Sequence, residues 1–192
     1  MKNILIINGH PEMKSLCTEL ALSYLKGAEA AGATCSIIHL CQLDFDPLRH
    51  HHLKKNNLYE PDLIKVQDEI LKANHLVFVY PNWWGTYPAL FKGFIDRVFL
   101  PGFAFNYRKK SFHCDKLLSG KSARVIVTMN SPRWYYYLRY GQSGHISMRR
   151  NILGYCGIKP VRISSIGPVK MAREYRIRGW LRKVELLGRN MK

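Results

Sequence analysis

Short apolar runs alternate with segments of helical periodicity along most of the chain. Runs rich in β-branched and other apolar residues predict five strands, at 3–8, 34–40, 75–80, 123–129 and 160–166. Apolar positions three or four residues apart predict five helices, at 16–31, 62–73, 88–99, 145–155 and 171–189. Such alternation indicates a parallel sheet with right-handed crossovers. We therefore predict an α/β three-layer sandwich, a five-stranded parallel sheet of order 2-1-3-4-5 with helices on both faces.

The composition indicates a single globular domain spanning residues 1–192. Of the 192 residues, 47% are hydrophobic, which is enough for an ample core. No apolar run approaches the roughly 20 residues that a membrane helix needs, and the chain opens on a strand pattern without signal-peptide architecture. The five cysteines are scattered and lack any C-x-x-C pair, which favours reduced thiols over disulfides or a zinc site. A cytoplasmic location is expected.

The most informative segment is the turn that follows the third predicted strand. The sequence PNWWG at residues 81–85 comes directly after an apolar strand, and a helix is predicted to begin near Pro88. Two adjacent tryptophans on a tight turn would form a good floor for a flat aromatic ligand. Ligands of open α/β sheets sit beyond the carboxyl ends of the strands, where the strand order reverses. The alternative is that Trp83 and Trp84 are packing aromatics at a helix start.

The loop after the first strand is predicted to face this turn, because the 2-1-3 order places the first and third strands side by side. Residues 9–17 lead into a helix, whose first N–H groups and positive dipole end can hold a phosphate. Ser15 and Thr18 add hydroxyl groups, His10 an imidazole and Lys14 a charge. The alternative is an ordinary turn with an N-cap. Neither G-x-G-x-x-G nor G-x-x-x-x-G-K-[ST] occurs, which disfavours a Rossmann dinucleotide site and a P-loop NTPase.

Together, these segments resemble the flavodoxin-like NAD(P)H:quinone oxidoreductases, the family that includes DT-diaphorase and the bacterial modulator-of-drug-activity and potassium-efflux ancillary reductases. The first strand and the His10-Pro11 loop are similar to the amino-terminal segment of that family. The other matching positions are Pro81, Trp83, Trp84, Gly85, Pro88, Ala89, Lys92, Gly93, Asp96, Arg97, Val98, Gly102 and Phe103. The resemblance continues to about Ile166, and it implies a flavodoxin-like fold with a tightly bound FMN or FAD.

The resemblance also implies which residues would contact the flavin. Its ring would lie on the backbone of residues 83–85, whose N–H groups would bond to the N5, O4 and O2 side. The implied flavin-binding residues are His10, Ser15, Leu16, Cys17, Pro81, Asn82, Trp83, Trp84, Gly85, Thr128 and Asn130. Thr128 and Asn130 belong to a loop, predicted at 128–137, that replaces the Thr-Thr-Gly-Gly turn of many relatives. Cys17 stands where FAD-binding relatives often carry a polar residue, so FMN and FAD both stay open.

The implied reaction is NAD(P)H:quinone oxidoreduction. NADH or NADPH and then a quinone would use the same flavin face, by ping-pong two-electron hydride transfer through N5. DT-diaphorase places a Tyr and a His six positions apart beside the hydride path. The nearest candidates here are Tyr136, Tyr137, Tyr140 and His145, and of these only Tyr140 with His145, five apart, comes close to that spacing. Packing of the pocket rim or dimer is the alternative role for the tyrosines. Relatives complete each site with a second chain, which implies a homodimer through the aromatic-rich segment 134–140.

The charge is large for an enzyme of this size. Thirty Lys and Arg against thirteen Asp and Glu give a net charge of +17, much of it in residues 107–124 and in a basic C-terminal helix. A solvated basic face, recruitment of anionic NAD(P)H and contact with a phospholipid surface are the interpretations that we consider. No recognised nucleic-acid-binding module appears. The run His50, His51 and His52 lacks the spaced second set of ligands of a closed metal site, so no metal is predicted.

Three other functions are compatible with the sequence. The same open flavin face would permit reduction of azo or nitroaromatic compounds. A flavin-fold regulatory subunit that docks on a membrane transport protein would suit the basic tail. A flavin-free binding domain is supported only by the atypical Met129-Asn130-Ser131 segment and by Cys17.

Overall fold

A computed structural model describes residues 2–48, 60–109, 111 and 113–191. Its strands are β1 (Asn3–Asn8), β2 (Thr34–His39), β3 (His75–Pro81), β4 (Phe105–Tyr107), β5 (Cys114–Lys116), β6 (Ser122–Thr128) and β7 (Val161–Ile166). Five of them form an all-parallel sheet of order β2-β1-β3-β6-β7, and β4 pairs with β5 in a small antiparallel hairpin. In the order of the five sheet strands along the chain, this is the predicted arrangement 2-1-3-4-5, which is thereby confirmed.

Helices cover both faces of this sheet. They are α1 (Leu16–Ala30), α2 (Pro61–Lys72), α3 (Ala89–Val98), α4 (Arg133–Tyr140), α5 (Ser143–Ile146) and α6 (Glu174–Arg189). A 3-10 turn follows β2 at Leu40–Gln42, and α5 continues into a π-helical segment at Ser147–Leu153. Within the described ranges, every helix is too short or too polar to span a membrane.

Two hydrophobic cores lie on opposite sides of the sheet, because successive side chains of a strand point to opposite faces. One core contains Ile4, Ile6, Val77 and Val79 of the strands with Leu20 and Tyr24 of α1 and Val184 of α6. The other core contains Leu5, Ile7, Phe78 and Val125 of the strands with Leu63 and Ile70 of α2 and Phe91 and Phe94 of α3. The three-layer sandwich with helices on both faces is therefore confirmed.

The structure differs from the predicted elements mainly after β6. The segment 128–137 was predicted as a loop, but α4 begins within it at Arg133. Its sequence RWYYYLRY has weak helix propensity, since aromatic residues lose side-chain freedom in a helix. The helix nevertheless forms between Pro132 and Gly141, and Gly141 ends it in the left-handed conformation that glycine adopts without cost.

Two smaller differences concern the edges of the fold. The β4–β5 hairpin was not predicted, because three-residue strands give too short a pattern to recognise. The basic C-terminal helix begins at Glu174 and not at 171. The histidine run at residues 50–52 lies outside the described residues.

Candidate functional site

The carboxyl ends of β1, β3 and β6 open into one cavity of about 290 Å³. Its lining residues are His10, Glu12, Lys14, Ser15, Leu16, Cys17, Pro81, Asn82, Trp83, Thr128, Met129, Asn130 and Val169. Nine of the eleven residues predicted to bind flavin are in this set; Trp84 and Gly85 are not, and neither are Tyr140 and His145. The two loops come together because β1 and β3 are adjacent strands, at the point where the strand order reverses.

The loop between β1 and α1 is ordered by the buried side chain of Asn8. Its Oδ1 accepts a hydrogen bond from the His10 N–H at 3.2 Å, and its Nδ2 donates to Thr18 Oγ1 at 2.9 Å. Ser15 caps α1, since its Oγ accepts the Thr18 N–H at 3.3 Å. The N–H groups of Leu16 and Cys17, in the first turn of α1, have no partner among the described residues. These free donors and the positive helix end can hold an anion.

The Cys17 side chain serves the packing of this loop. It is buried, with its Sγ 3.4 Å from Thr128 Oγ1 on β6. Burial raises the pKa of the Cys17 thiol to about 11, against a weaker opposing effect of the Thr128 hydroxyl, so the group is a neutral thiol at pH 7. Cys17 can therefore contribute to an anion site through its backbone N–H and not through a charged side chain.

The turn at residues 83–86 has type I′ geometry. The Trp83 N–H donates to the Thr86 carbonyl at 3.2 Å, and the Thr86 N–H donates back to the Trp83 carbonyl at 3.0 Å. Trp84 and Gly85 both have positive φ, 52° and 80°, as the two central residues of this turn require. The turn therefore uses the Trp83 N–H, which was expected to contact the flavin. The N–H groups of Trp84 and Gly85 stay without a partner in the described part of the chain.

Trp84 is strained and fully exposed. A bulky residue in the left-handed region costs about 1–3 kcal/mol, and such strain clusters at binding and active sites. The Trp84 side chain is 100% exposed, so burial within the chain does not compensate for this cost. Trp83 is half-buried instead and meets the His10 ring edge-on at 6.0 Å, which links the two loops of the cavity. Trp84 is thus available to a ligand or a second chain.

Tyr136 of α4 fixes the Gly85 end of the turn. Its buried hydroxyl donates to the Gly85 carbonyl at 2.8 Å and accepts the Gly144 N–H at 3.0 Å. Ser143 Oγ donates to the same carbonyl at 3.1 Å. Tyr140 was preferred to Tyr136 as a catalytic candidate because of its spacing from His145. The available signal was Gly141, which marks the end of a helix and would have placed Tyr136 and Tyr140 on one helical face.

Tyr140 and His145 both contact the ring of Tyr136. The Tyr136 ring is 5.8 Å from that of Tyr140 and 4.9 Å from that of His145. The Tyr140 ring also borders Gly85, because a Cβ at Gly85 would lie 3.1 Å from Tyr140 Cδ1. The tyrosine ring that contacts His145 is therefore that of Tyr136, nine positions earlier in the chain, whereas the Tyr140 ring contacts the turn at Gly85.

His145 is buried and neutral at pH 7. Its Nε2 is 2.9 Å from Ser165 Oγ, and its Nδ1 has no hydrogen-bond partner among the described residues. Burial lowers the pKa of His145 to about 4, with the Arg149 and Arg133 charges acting in the same direction. The imidazole can therefore donate or accept one further hydrogen bond without carrying charge.

The third wall of the cavity comes from the end of β6. The Asn82 N–H donates to the Thr128 carbonyl at 2.7 Å, which continues the pairing of β3 with β6. Asn82 Oδ1 is buried without a partner among the described residues, which is rare for a polar atom and leaves an acceptor for a ligand. The Asn130 side chain accepts the Lys170 N–H at 3.1 Å and so braces the loop after β7. No group of three or more metal-ligating side chains occurs within the described ranges.

Comparison with known proteins places the chain in a family. The family model described as "Flavodoxin-like fold" matches residues 2–183, and the chain therefore belongs to this family. A crystal structure from Streptococcus mutans has 30% identity and a TM-score of 0.86, with 98% of this chain and 99% of that chain covered.

Curated relatives carry oxidoreductase names. An uncharacterized NAD(P)H oxidoreductase of Haemophilus influenzae is 29% identical, over 88% of this chain and 85% of its own length. The ribosyldihydronicotinamide dehydrogenase [quinone] of Mus musculus is 25% identical, over 82% of this chain and 78% of its own length. An FMN-dependent NADH-azoreductase from Bacillus anthracis, solved with FMN, shares the fold at a TM-score of 0.74 and 19% identity, with 100% and 99% of the two chains covered.

Proposed function

We propose that this chain is a flavin-dependent NAD(P)H:quinone oxidoreductase, in which residues 1–192 act as one flavodoxin-like domain. The observation that carries the proposal is that two neighbouring loops each present two backbone N–H groups without a hydrogen-bond partner among the described residues. One set, at Leu16 and Cys17, suits an anion, and the other, at Trp84 and Gly85, lies on the strained turn beside the same cavity. A ligand with a phosphate and a flat polar ring system matches both.

The names of the relatives support the enzyme class. Two of them are named an NAD(P)H oxidoreductase and a quinone-reducing dehydrogenase, and both match more than four-fifths of this chain. The neighbour solved with FMN has the same fold. These similarities favour FMN over FAD in this proposal, since that neighbour is described as FMN-dependent and was solved with FMN.

The residues present fit a flavin. The first turn of α1, with Ser15 as its cap, would hold the phosphate. The N–H groups of Trp84 and Gly85 would hold ring acceptors, and buried Asn82 Oδ1 would accept from a ring N–H. When bound, a flavin supplies reversible two-electron hydride chemistry at N5, so that NAD(P)H and a quinone can react in turn by a ping-pong scheme.

Side chains of α4 and α5 hold the turn that carries the Trp84 and Gly85 donors. Tyr136 and Ser143 hold the Gly85 carbonyl, which fixes the plane of the following peptide and hence the turn. Neutral His145 provides one uncommitted nitrogen next to Tyr136. We propose Tyr140 and His145 as the residues closest to the transferring groups, with Tyr136 as the positioning residue between them.

The first test is reconstitution with three flavins. Protein incubated with FMN, FAD or riboflavin and then desalted should keep FMN, with absorption maxima near roughly 375 and 450 nm that bleach on anaerobic addition of NADH or NADPH. Riboflavin lacks the phosphate, so its affinity should be about tenfold or more below that of FMN if α1 holds that group. Retention of no flavin, together with no bleaching, would reject the proposal.

The acceptor is tested in the same preparation. A benzoquinone should reoxidise the bleached protein faster than an azo dye or a nitroaromatic compound. If the azo dye or the nitroaromatic compound reoxidises the protein faster than the benzoquinone, the protein is still a flavoenzyme, but its substrate class is azo or nitro compounds and not quinones.

We further propose that the enzyme is a homodimer through α4. Trp134, Tyr137 and Leu138 are 65%, 61% and 72% exposed, an apolar helix face beside the Gly85 turn that a second chain would cover. Light scattering should give twice the 22.3 kDa of one chain. Leu138→Asp should give monomers, and Leu22→Asp, at a half-exposed leucine of α1, should not. Dimers in both variants would exclude this interface.

A further inference from the structure

A second cavity lies at the opposite end of the sheet. Its volume is about 760 Å³, and its lining residues are Lys116, Arg149, Arg150, Gly154, Tyr155, Lys159, Pro160 and Val161. Val161 is the first residue of β7, so this groove opens at the amino end of the strands, whereas the first cavity opens at their carboxyl ends. The two cavities share no lining residue. We name this second cavity the basic groove.

The basic groove has one sign of charge. Lys116, Arg149, Arg150 and Lys159 line it, and no lining residue is acidic. Within the described residues none of these four cations forms an ion pair. The carboxylate next to Lys116 in sequence, that of Asp115, is paired with Arg108 at 2.6 Å. Four like charges around one concavity raise the local concentration of anions and are stabilised when an anion binds.

A π-helical turn shapes one wall of this groove. The Gly154 N–H donates to the Arg149 carbonyl, five residues earlier, at 3.0 Å. A Cβ at residue 154 would lie 2.6 Å from that carbonyl oxygen, so the turn requires glycine here. The same turn carries the consecutive Arg149 and Arg150, both of which line the groove. Single π-turns within helices are rare and occur frequently at functional sites.

We propose that the basic groove binds a small soluble polyanion with two or more phosphate groups. Its volume lies within the roughly 300–1,000 Å³ typical of small-molecule sites. Two arginines can each make bidentate contacts to phosphate oxygens, and two lysines add point charges, which exceeds what a single phosphate needs. The site is independent of the proposed flavin cavity, and α6, the other basic surface, packs on the opposite face of the sheet.

The test is calorimetric titration with inorganic triphosphate at a fixed ionic strength of about 0.15 M, where unspecific surface attraction is largely screened. The variant Arg150→Gln/Lys159→Gln should bind triphosphate about tenfold or more weakly than the wild type, since two charge-assisted contacts are lost. The matched control Arg182→Gln/Lys183→Gln removes the same charge from the exposed side of α6 and should stay within about twofold of the wild type. All four side chains are exposed, so both variants should fold.

Each outcome of this titration decides the proposal. Selective weakening in Arg150→Gln/Lys159→Gln supports the groove as the site. Equal weakening in both variants would show that only the overall charge of +17 attracts the anion, and absence of binding to the wild type would overturn the proposal directly. Anionic phosphatidylglycerol vesicles serve as a second probe, and their selective capture without triphosphate binding would replace the soluble ligand by a lipid surface. Flavin binding is measured in parallel and is expected to be unchanged in both variants.

Discussion

At the scale of the residue, Gly85 carries the sharpest test of the candidate site. Gly85→Ala places a Cβ 3.1 Å from Tyr140 Cδ1 at a φ of +80°, whereas Gly32→Ala has the same backbone cost, at +82°, in open space. Both variants should lose about 1–2 kcal/mol of unfolding free energy. Only Gly85→Ala should also lower FMN affinity, by about tenfold, because the turn must shift to relieve the contact. Urea unfolding and fluorescence titration with FMN measure the two effects, and equal FMN affinity in both variants would contradict a role of this turn in binding.

Tyr136 gives the second test at this scale. Tyr136→Phe removes the 2.8 Å donor to the Gly85 carbonyl and the 3.0 Å acceptor of the Gly144 N–H. The carbonyl keeps Ser143 Oγ at 3.1 Å and the longer bond from the Gly144 N–H at 3.3 Å. We expect a loss of about 1–3 kcal/mol of unfolding free energy and weaker FMN binding. Tyr175→Phe changes an exposed residue of α6, outside the turn and the proposed dimer face, and should alter neither quantity. If the two variants behave alike, Tyr136 does not position the turn.

The residues of the site differ in how far the sequence could predict them. His10, Asn82, Trp83 and Thr128 line one cavity because they follow strands whose adjacency the alternating pattern already predicts. Tyr136 was set aside on its spacing from His145, because its role depends on a contact between residues 51 positions apart. The use of the Trp83 N–H within the turn was missed for a related reason. Positive φ at a tryptophan has no signature in composition or periodicity.

At the scale of the element, the first turn of α1 is the part of the candidate site that a single hydroxyl can test. Ser15→Ala removes the cap of α1 and should cost about 1 kcal/mol of unfolding free energy. It should also weaken FMN binding more than riboflavin binding, since the first turn is proposed to hold the phosphate. Ser23→Ala in the same helix removes a hydroxyl that bonds the Glu19 carbonyl and should be almost neutral. An equal loss for FMN and riboflavin would argue against phosphate at this helix end.

Elements with a strong local pattern were predicted well, and elements held by tertiary contacts were not. The apolar strands and α2, with its Pro61 start, have clear signals in the sequence. Helix α4 is different, because its eight residues include five aromatic rings and only Tyr136 is buried. Its helical state depends on the bonds of Tyr136 to Gly85 and Gly144 and on the glycine that ends it. The π-helical segment was predicted as an ordinary helix, since the spacing of apolar residues does not reveal hydrogen bonds between residues five positions apart.

At the scale of the whole molecule, the sheet order was predictable because few topologies satisfy right-handed crossovers between five parallel strands. The spatial distribution of charge could not be predicted from the sequence. The sequence showed a net charge of +17 and two basic stretches, but the basic groove joins β5, the π-helical segment and the start of β7. These three parts are distant in sequence and come together only through the fold. Both proposed sites thus depend on tertiary contacts, at opposite ends of one sheet.

The stability of the whole molecule should fall as the pH decreases from about 6.5 to 4. Burial lowers the pKa of His145 to about 4 and that of His75 to about 3, with neighbouring cations adding to both shifts. The unfolded chain binds protons at these histidines below its ordinary pKa near 6.5, while the folded chain does not, so unfolding gains protons and becomes easier as the pH falls. For His145 the loss is on the order of 2–3 kcal/mol across this window. His145→Gln should therefore reduce the slope of the unfolding free energy against pH. Urea unfolding at intervals of half a pH unit measures that slope, and a slope unchanged in His145→Gln would mean that His145 is not held neutral in the folded protein.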